Sequence, residues 1–97
     1  MTWPFKIVKI AGHSMQPTIR DGQFLLVNQW IFLFRQPRIG EVVVFRNPSD
    51  NRVFCKRVTA VNGSDYILRG DNQADSVDSR ALGPIPDAYI LGKVTAA

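Results

Sequence analysis

Apolar and polar positions alternate along this chain in short bursts, each closed by glycine, proline, asparagine or aspartate. Phe5-Lys6-Ile7-Val8-Lys9-Ile10 places lysines between apolar residues, and that period of two predicts a half-buried strand. Phe24-Leu25-Leu26-Val27 reads as a buried strand, and Glu41-Val42-Val43-Val44-Phe45-Arg46 is the clearest strand of all. A long alternating strand is predicted from Arg52 to Val61, a short one over Tyr66-Ile67-Leu68-Arg69, and a closing one over Tyr89–Val94. Turns fall between them: Thr18–Gly22, whose Asp-Gly pair is a strong hairpin signal, then Pro37–Gly40, Asn47–Asn51 and Asn62–Asp65. Residues 73–88 read as loop, because Gly83, Pro84 and Pro86 block any long helix. Short strands at roughly ten-residue spacing argue for a mostly β barrel or sandwich.

Composition narrows what such a fold could do. Ninety-seven residues suit a single domain over 1–97 with one modest core. The lone Cys55 precludes an internal disulfide, and with His13 as the single histidine no metal site or other cofactor is expected. Net charge is +4, which permits an anionic partner without choosing one. The most apolar window, Phe24 to Phe34, is far shorter than the roughly 20 residues a spanning helix needs, so no transmembrane segment is expected in the chain.

Three stretches could carry chemistry. Gly12-His13-Ser14-Met15-Gln16-Pro17-Thr18 puts a serine in a turn fixed by a proline, with a small residue two positions before it. A serine hydroxyl needs a base nearby. His13 is adjacent, but neighbouring side chains of an extended segment point apart, which makes it a bystander. A lysine is the natural substitute. In Val53-Phe54-Cys55-Lys56-Arg57-Val58 the alternation sets Phe54, Lys56 and Val58 on one face and Cys55 and Arg57 on the other. Burial would favour the neutral amine of Lys56, whereas Arg57 cannot lose its proton in a protein. Pattern alone still leaves a lysine that reaches out to solvent as the commoner outcome. The third stretch, Gly70-Asp71-Asn72-Gln73-Ala74-Asp75-Ser76-Val77-Asp78-Ser79-Arg80, could orient a buried lysine through a hydroxyl such as Ser76, or equally form an Asx-rich turn.

Taken in order, these stretches resemble the type I signal peptidase family of serine–lysine endopeptidases. Residues 12–18 are similar to its G-x-S-M-x-P-T box, Lys56-Arg57-Val58 to its K-R-V box, and Gly70-Asp71-Asn72 through Ser76, Asp78, Arg80 and Gly83 to its G-D-N…S-x-D-S-R…G box. Gly40–Phe45 resembles its G-D-V-V-V-F strand, with Glu41 in place of the aspartate, and Ile90–Val94 its closing I-x-G-K-V. The resemblance implies a signal-peptidase-like or SOS-repressor-peptidase-like β fold. In it Ser14 would attack a peptide carbonyl and Lys56 would act as general base. It also implies that Ser76 orients the amine, that Asp78 and Arg80 form a salt bridge, and that the Ser14 N–H donates to an oxyanion; Gly12 stands where some members carry a second, serine donor. Gly12 and Met15 would support the nucleophile. The expected substrate is a protein with a leader or N-terminal extension cut after small residues.

Two features set other readings beside this one. The segment before the nucleophile box is too short for the spanning helix of membrane-bound members, so the chain also resembles the soluble peptidases that mature nickel superoxide dismutase. Localisation is membrane-associated on the first reading and cytoplasmic on the second. Trp30-Ile31-Phe32-Leu33-Phe34, with Arg35 and Arg38, suits either a membrane-surface contact or core packing. In a different class, Trp30, Phe32, Phe34, Phe45, Phe54 and Tyr66 with the positive charge would suit a nucleic-acid-binding barrel. That leaves the serine boxes unexplained, and no nucleic acid is expected; an inactive relative serving as a binding module is the remaining alternative. SOS-type self-cleaving repressors would need an upstream DNA-binding domain and a cleavable segment.

Overall fold

In the computed structural model the described residues, 3–72 and 83–96, form one curled antiparallel sheet, a half-barrel of seven strands. The strands are β1 (Phe5–Lys9), β2 (Phe24–Asn28), β3 (Val42–Arg46), β4 (Val53–Asn62), β5 (Asp65–Arg69), β6 (Ile85–Pro86) and β7 (Ile90–Ala96), in the spatial order β1-β2-β7-β3-β4-β5-β6. Among the described residues the helical turns are two short 3₁₀ segments, Ile31–Leu33 and Asp87–Tyr89.

The central strand explains the architecture. The run of apolar residues in β3 lacks polar alternation because both of its faces are covered. Val44 joins a cluster with Met15, Ile19, Leu25, Val27 and Cys55, whereas Val43 and Phe45 join Val58, Tyr66, Leu68 and Ile85 on the opposite side. Each strand pairing is antiparallel, with β3 and β4 in continuous register from Val42↔Arg57 to Arg46↔Val53. That register puts Lys56 opposite Val43, on the second face.

Three expectations are revised. Asp21-Gly22 does not close a tight hairpin: β1 and β2 do pair, Lys9 with Phe24, but residues 10–23 intervene as a long connection. Its length leaves room for the Ser14 turn. Within the 73–88 loop, Ile85–Pro86 pairs with β5 through Tyr66↔Ile85, because Ile85 fills the second cluster. The Trp30–Phe34 stretch divides its roles: Phe32 packs against the second cluster, whereas Leu33 and Phe34 are 76% and 84% exposed. The 3₁₀ turn causes the split, since successive side chains there splay around the axis rather than sharing one face.

Candidate active site

The connection between β1 and β2 is built to hold one short turn. Gly12 enters it at φ +104°, a left-handed conformation that glycine accepts without strain, and its N–H donates to Asp21 Oδ1 at 2.9 Å. The Ile19 N–H then donates to the Met15 carbonyl at 2.9 Å. Met15 and Ile19 both drive into the first apolar cluster. Ser14 is thus fixed from its C-terminal side by two buried anchors and stays half-buried itself. His13 lies in a bend, not an extended segment, and its Nδ1 is 2.9 Å from Gln16 Nε2 on the exposed side of the turn.

Lys56 does not reach solvent. Its relative exposure is 2%, in the middle of β4, with Nζ 5.9 Å from the centroid of Phe54 on the same face. The sheet explains why snorkelling fails: β3 and β5 flank β4 on both edges, and apolar side chains cover this face. The alternation of β4 is as expected, with Cys55 turned to the opposite cluster. Burial pushes the Cys55 thiol up to about 12, so the one cysteine beside the site is no nucleophile near neutrality.

The segment 70–72 ties these pieces together. The Asn72 N–H donates to the Ser14 carbonyl at 2.8 Å, and Asn72 Nδ2 donates to the His13 carbonyl at 2.9 Å. Gly70 passes so close that a Cβ there would collide with the Ser14 carbonyl oxygen and stand 3.2 Å from the Ser14 Cβ. Asp71 accepts a fork from Arg57, Nε at 2.9 Å and Nη2 at 2.7 Å, together with the Thr18 hydroxyl at 2.6 Å. Arg57 also donates Nη1 to the Gly40 carbonyl at 2.7 Å. One carboxylate therefore links the end of the serine turn to the residue following Lys56. Planar two-point pairing of this kind fixes orientation as well as distance.

The same links carry a pH dependence. Hydrogen bonds from Arg57, with a smaller contribution from Thr18, hold the Asp71 carboxyl below its usual range, against the opposing effect of partial burial. A depressed native pKa adds stability above the unfolded value of about 3.9, and that stability is lost as the pH falls through the native value. Unfolding of wild type and Asp71→Asn, compared from neutral to strongly acid pH, should show the full difference at neutrality, a decline that begins near pH 4, and convergence only below the lowered native value. A difference that stays constant across that range would show that the pair is not what titrates.

Of the residues expected at the site, Ser14, Gly12, Met15 and Lys56 are described by the structure; Ser76, Asp78 and Arg80 lie outside the described residues. The sequence reading gave no role to Asp71, Arg57, Thr18 or Asn72. Its one available cue was that all four sit inside the boxes already quoted. Glu41 takes a structural part, accepting from Arg35 Nη1 and Nη2 at 2.9 and 2.6 Å and from the Arg38 N–H at 2.7 Å.

The model of the family described as signal peptidase, peptidase S26, matches residues 1–65 and 64–97. The chain belongs to the signal peptidase family. It is similar to mitochondrial inner membrane protease subunit 1 of Schizosaccharomyces pombe, at 34% identity over 95% of this chain and 72% of that protein. Its similarity to the human protein of the same name is 31% over 91% of this chain and 66% of that protein, so the chain spans just under two thirds of that relative. Signal peptidase I V of Bacillus subtilis is 26% identical over 92% of this chain and 83% of that protein. The β fold described above is of the kind expected for that family.

Proposed function

We propose that this chain is a serine endopeptidase of the signal peptidase type, with Ser14 as nucleophile and Lys56 as general base, cutting a leader or N-terminal extension after small residues. The observation that carries the reading is the clasp of 70–72. It holds the Ser14 backbone on one side and, through Asp71 and Arg57, grips β4 next to a buried lysine on the other. Removal from water disfavours an ammonium ion, which favours the neutral amine that a base at neutral pH must supply. In the reaction Lys56 takes the Ser14 hydroxyl proton as Oγ bonds to the scissile carbonyl carbon. It returns that proton to the departing amine, and water then hydrolyses the ester. The Ser14 N–H is the candidate donor to the developing oxyanion. Ser76, Asp78 and Arg80 keep the roles that the family resemblance gives them.

The exposed Leu33 and Phe34, beside Arg35 and Arg38, extend the proposal to contact with a membrane surface, since apolar tips with neighbouring cations favour that interface. No helix among the described residues is long and apolar enough to cross a membrane. One experiment addresses both parts: cleavage of a peptide bearing Ala-x-Ala before the scissile bond, by wild type and Ser14→Ala, with and without lipid vesicles. Turnover by wild type and none by Ser14→Ala supports the peptidase; cleavage that survives in Ser14→Ala removes Ser14 as nucleophile. A Leu33→Ser/Phe34→Ser variant that floats with vesicles as well as wild type does would sink the membrane contact. Cleavage indifferent to lipid would favour a soluble maturation peptidase.

A further inference from the structure

Inside the curl of the sheet, away from the clasp, lies a groove of about 200 Å³. Val8, Val27, Val44 and Leu91 line it, and all four belong to or pack on the cluster that Met15 enters from the serine turn. The groove is therefore the open end of the apolar floor whose other end anchors Ser14. Its ionisable lining is wholly cationic, Lys6 on β1 and Arg46 on β3, brought together by the curl although two strands separate β1 from β3 in the sheet. Among the described residues neither cation enters an ion pair: the pairs involve Glu41 and Asp71. Arg46 is held in place by its bond to the Asn51 carbonyl at 2.9 Å.

We infer that this groove is a specificity subsite for an acidic residue of the substrate, seated beside an aliphatic one. The inference rests on the peptidase reading above. The apolar floor takes the aliphatic side chain, and the two cations favour a carboxylate at its rim. A basic neighbour would meet two like charges and be rejected. Along β1 the span from Lys6 to Ile10, where the serine connection begins, is about 13 Å at strand rise, the length of about four residues of extended peptide.

The test uses the full chain carrying Ser14→Ala, so that binding is measured without turnover, and three labelled peptides. Each has Ala-x-Ala at the cut, and four residues away on either side it carries Leu-Asp, Leu-Asn or Leu-Lys. The Asp peptide should bind about threefold tighter than the Asn peptide at low salt, the typical gain from one or two exposed pairs. The Lys peptide should bind weakest, and the preference should fade at high salt. Lys6→Gln should halve the logarithm of that preference, Lys6→Glu should cancel it, and Lys6→Glu with Arg46→Glu should invert it. Equal affinity for the three peptides, or binding of none, overturns the subsite. Retention of anionic vesicles through Lys6 and Arg46 without any peptide preference overturns it too, in favour of a lipid. Cleavage by the chain with Ser14 intact separates the two ideas. Equal turnover of all three peptides leaves the peptidase and removes the subsite, whereas an acidic preference in binding with no turnover keeps the subsite and removes the peptidase.

Discussion

Lys56→Arg is expected to abolish peptide cleavage while keeping a positive charge at the same point of β4. The argument turns on protons, not on charge. A general base contributes about 10²- to 10⁴-fold, and arginine, which stays protonated in any protein environment, supplies none of it. Because Lys56 is 2% exposed, the larger guanidinium could disturb the packing around Phe54. Lys56→Met, apolar and of matching length, covers that case. Both variants should lose activity to that extent, and for any residual turnover the rising limb of the pH–rate profile should disappear. Circular dichroism and thermal melting would establish that the methionine variant is folded. Turnover near the wild-type level in a folded Lys56→Met protein would remove Lys56 as the base.

The second large effect is expected at Gly70, a residue with no side chain to contribute. Gly70→Ala inserts a methyl group against the Ser14 carbonyl oxygen and near its Cβ. The obstruction is backbone, which cannot swing aside as a flexible side chain would, so either β5's end or the serine turn must move. Overpacking of this kind costs about 1 to 3 kcal/mol in stability. Activity should suffer more, by about 10²-fold, because a displacement of roughly 1 Å at a nucleophile is enough to spoil attack. The loss should fall in kcat rather than in KM, since the turn and not the remote groove is displaced. A Gly70→Ala enzyme with normal kcat would mean that the approach of 70–72 to Ser14 does not position the nucleophile.

The strands were legible in the residues because their signal is local. The alternation of β4 shows in the period of two, and the unbroken apolar run of β3 betrays a strand covered on both faces. The same alternation correctly separated Lys56 from Cys55. Whether Lys56 is dry was not a local question. It depends on β3 and β5 pairing on either side of β4, and on Tyr66, Leu68 and Ile85 arriving from distant parts of the chain to cover that face.

The clasp has the same character. Asp71 in a turn signals only a turn, and Arg57 on a strand signals only a solvated cation; nothing in either neighbourhood announces the other, or Thr18. Their meeting requires residues 12–18 and 70–72 to be folded back onto the same end of the sheet, which is a matter of topology and loop closure. The sequence by itself thus determined the strands other than β6, the faces of β4 and the boxes that resemble those of serine–lysine peptidases. Only the tertiary structure decided that Lys56 is buried, that Asp71 joins the serine turn to the lysine strand, and that Lys6 and Arg46 face one groove. Periodicity reports which side of an element is apolar; it carries no information about which other element that side will meet.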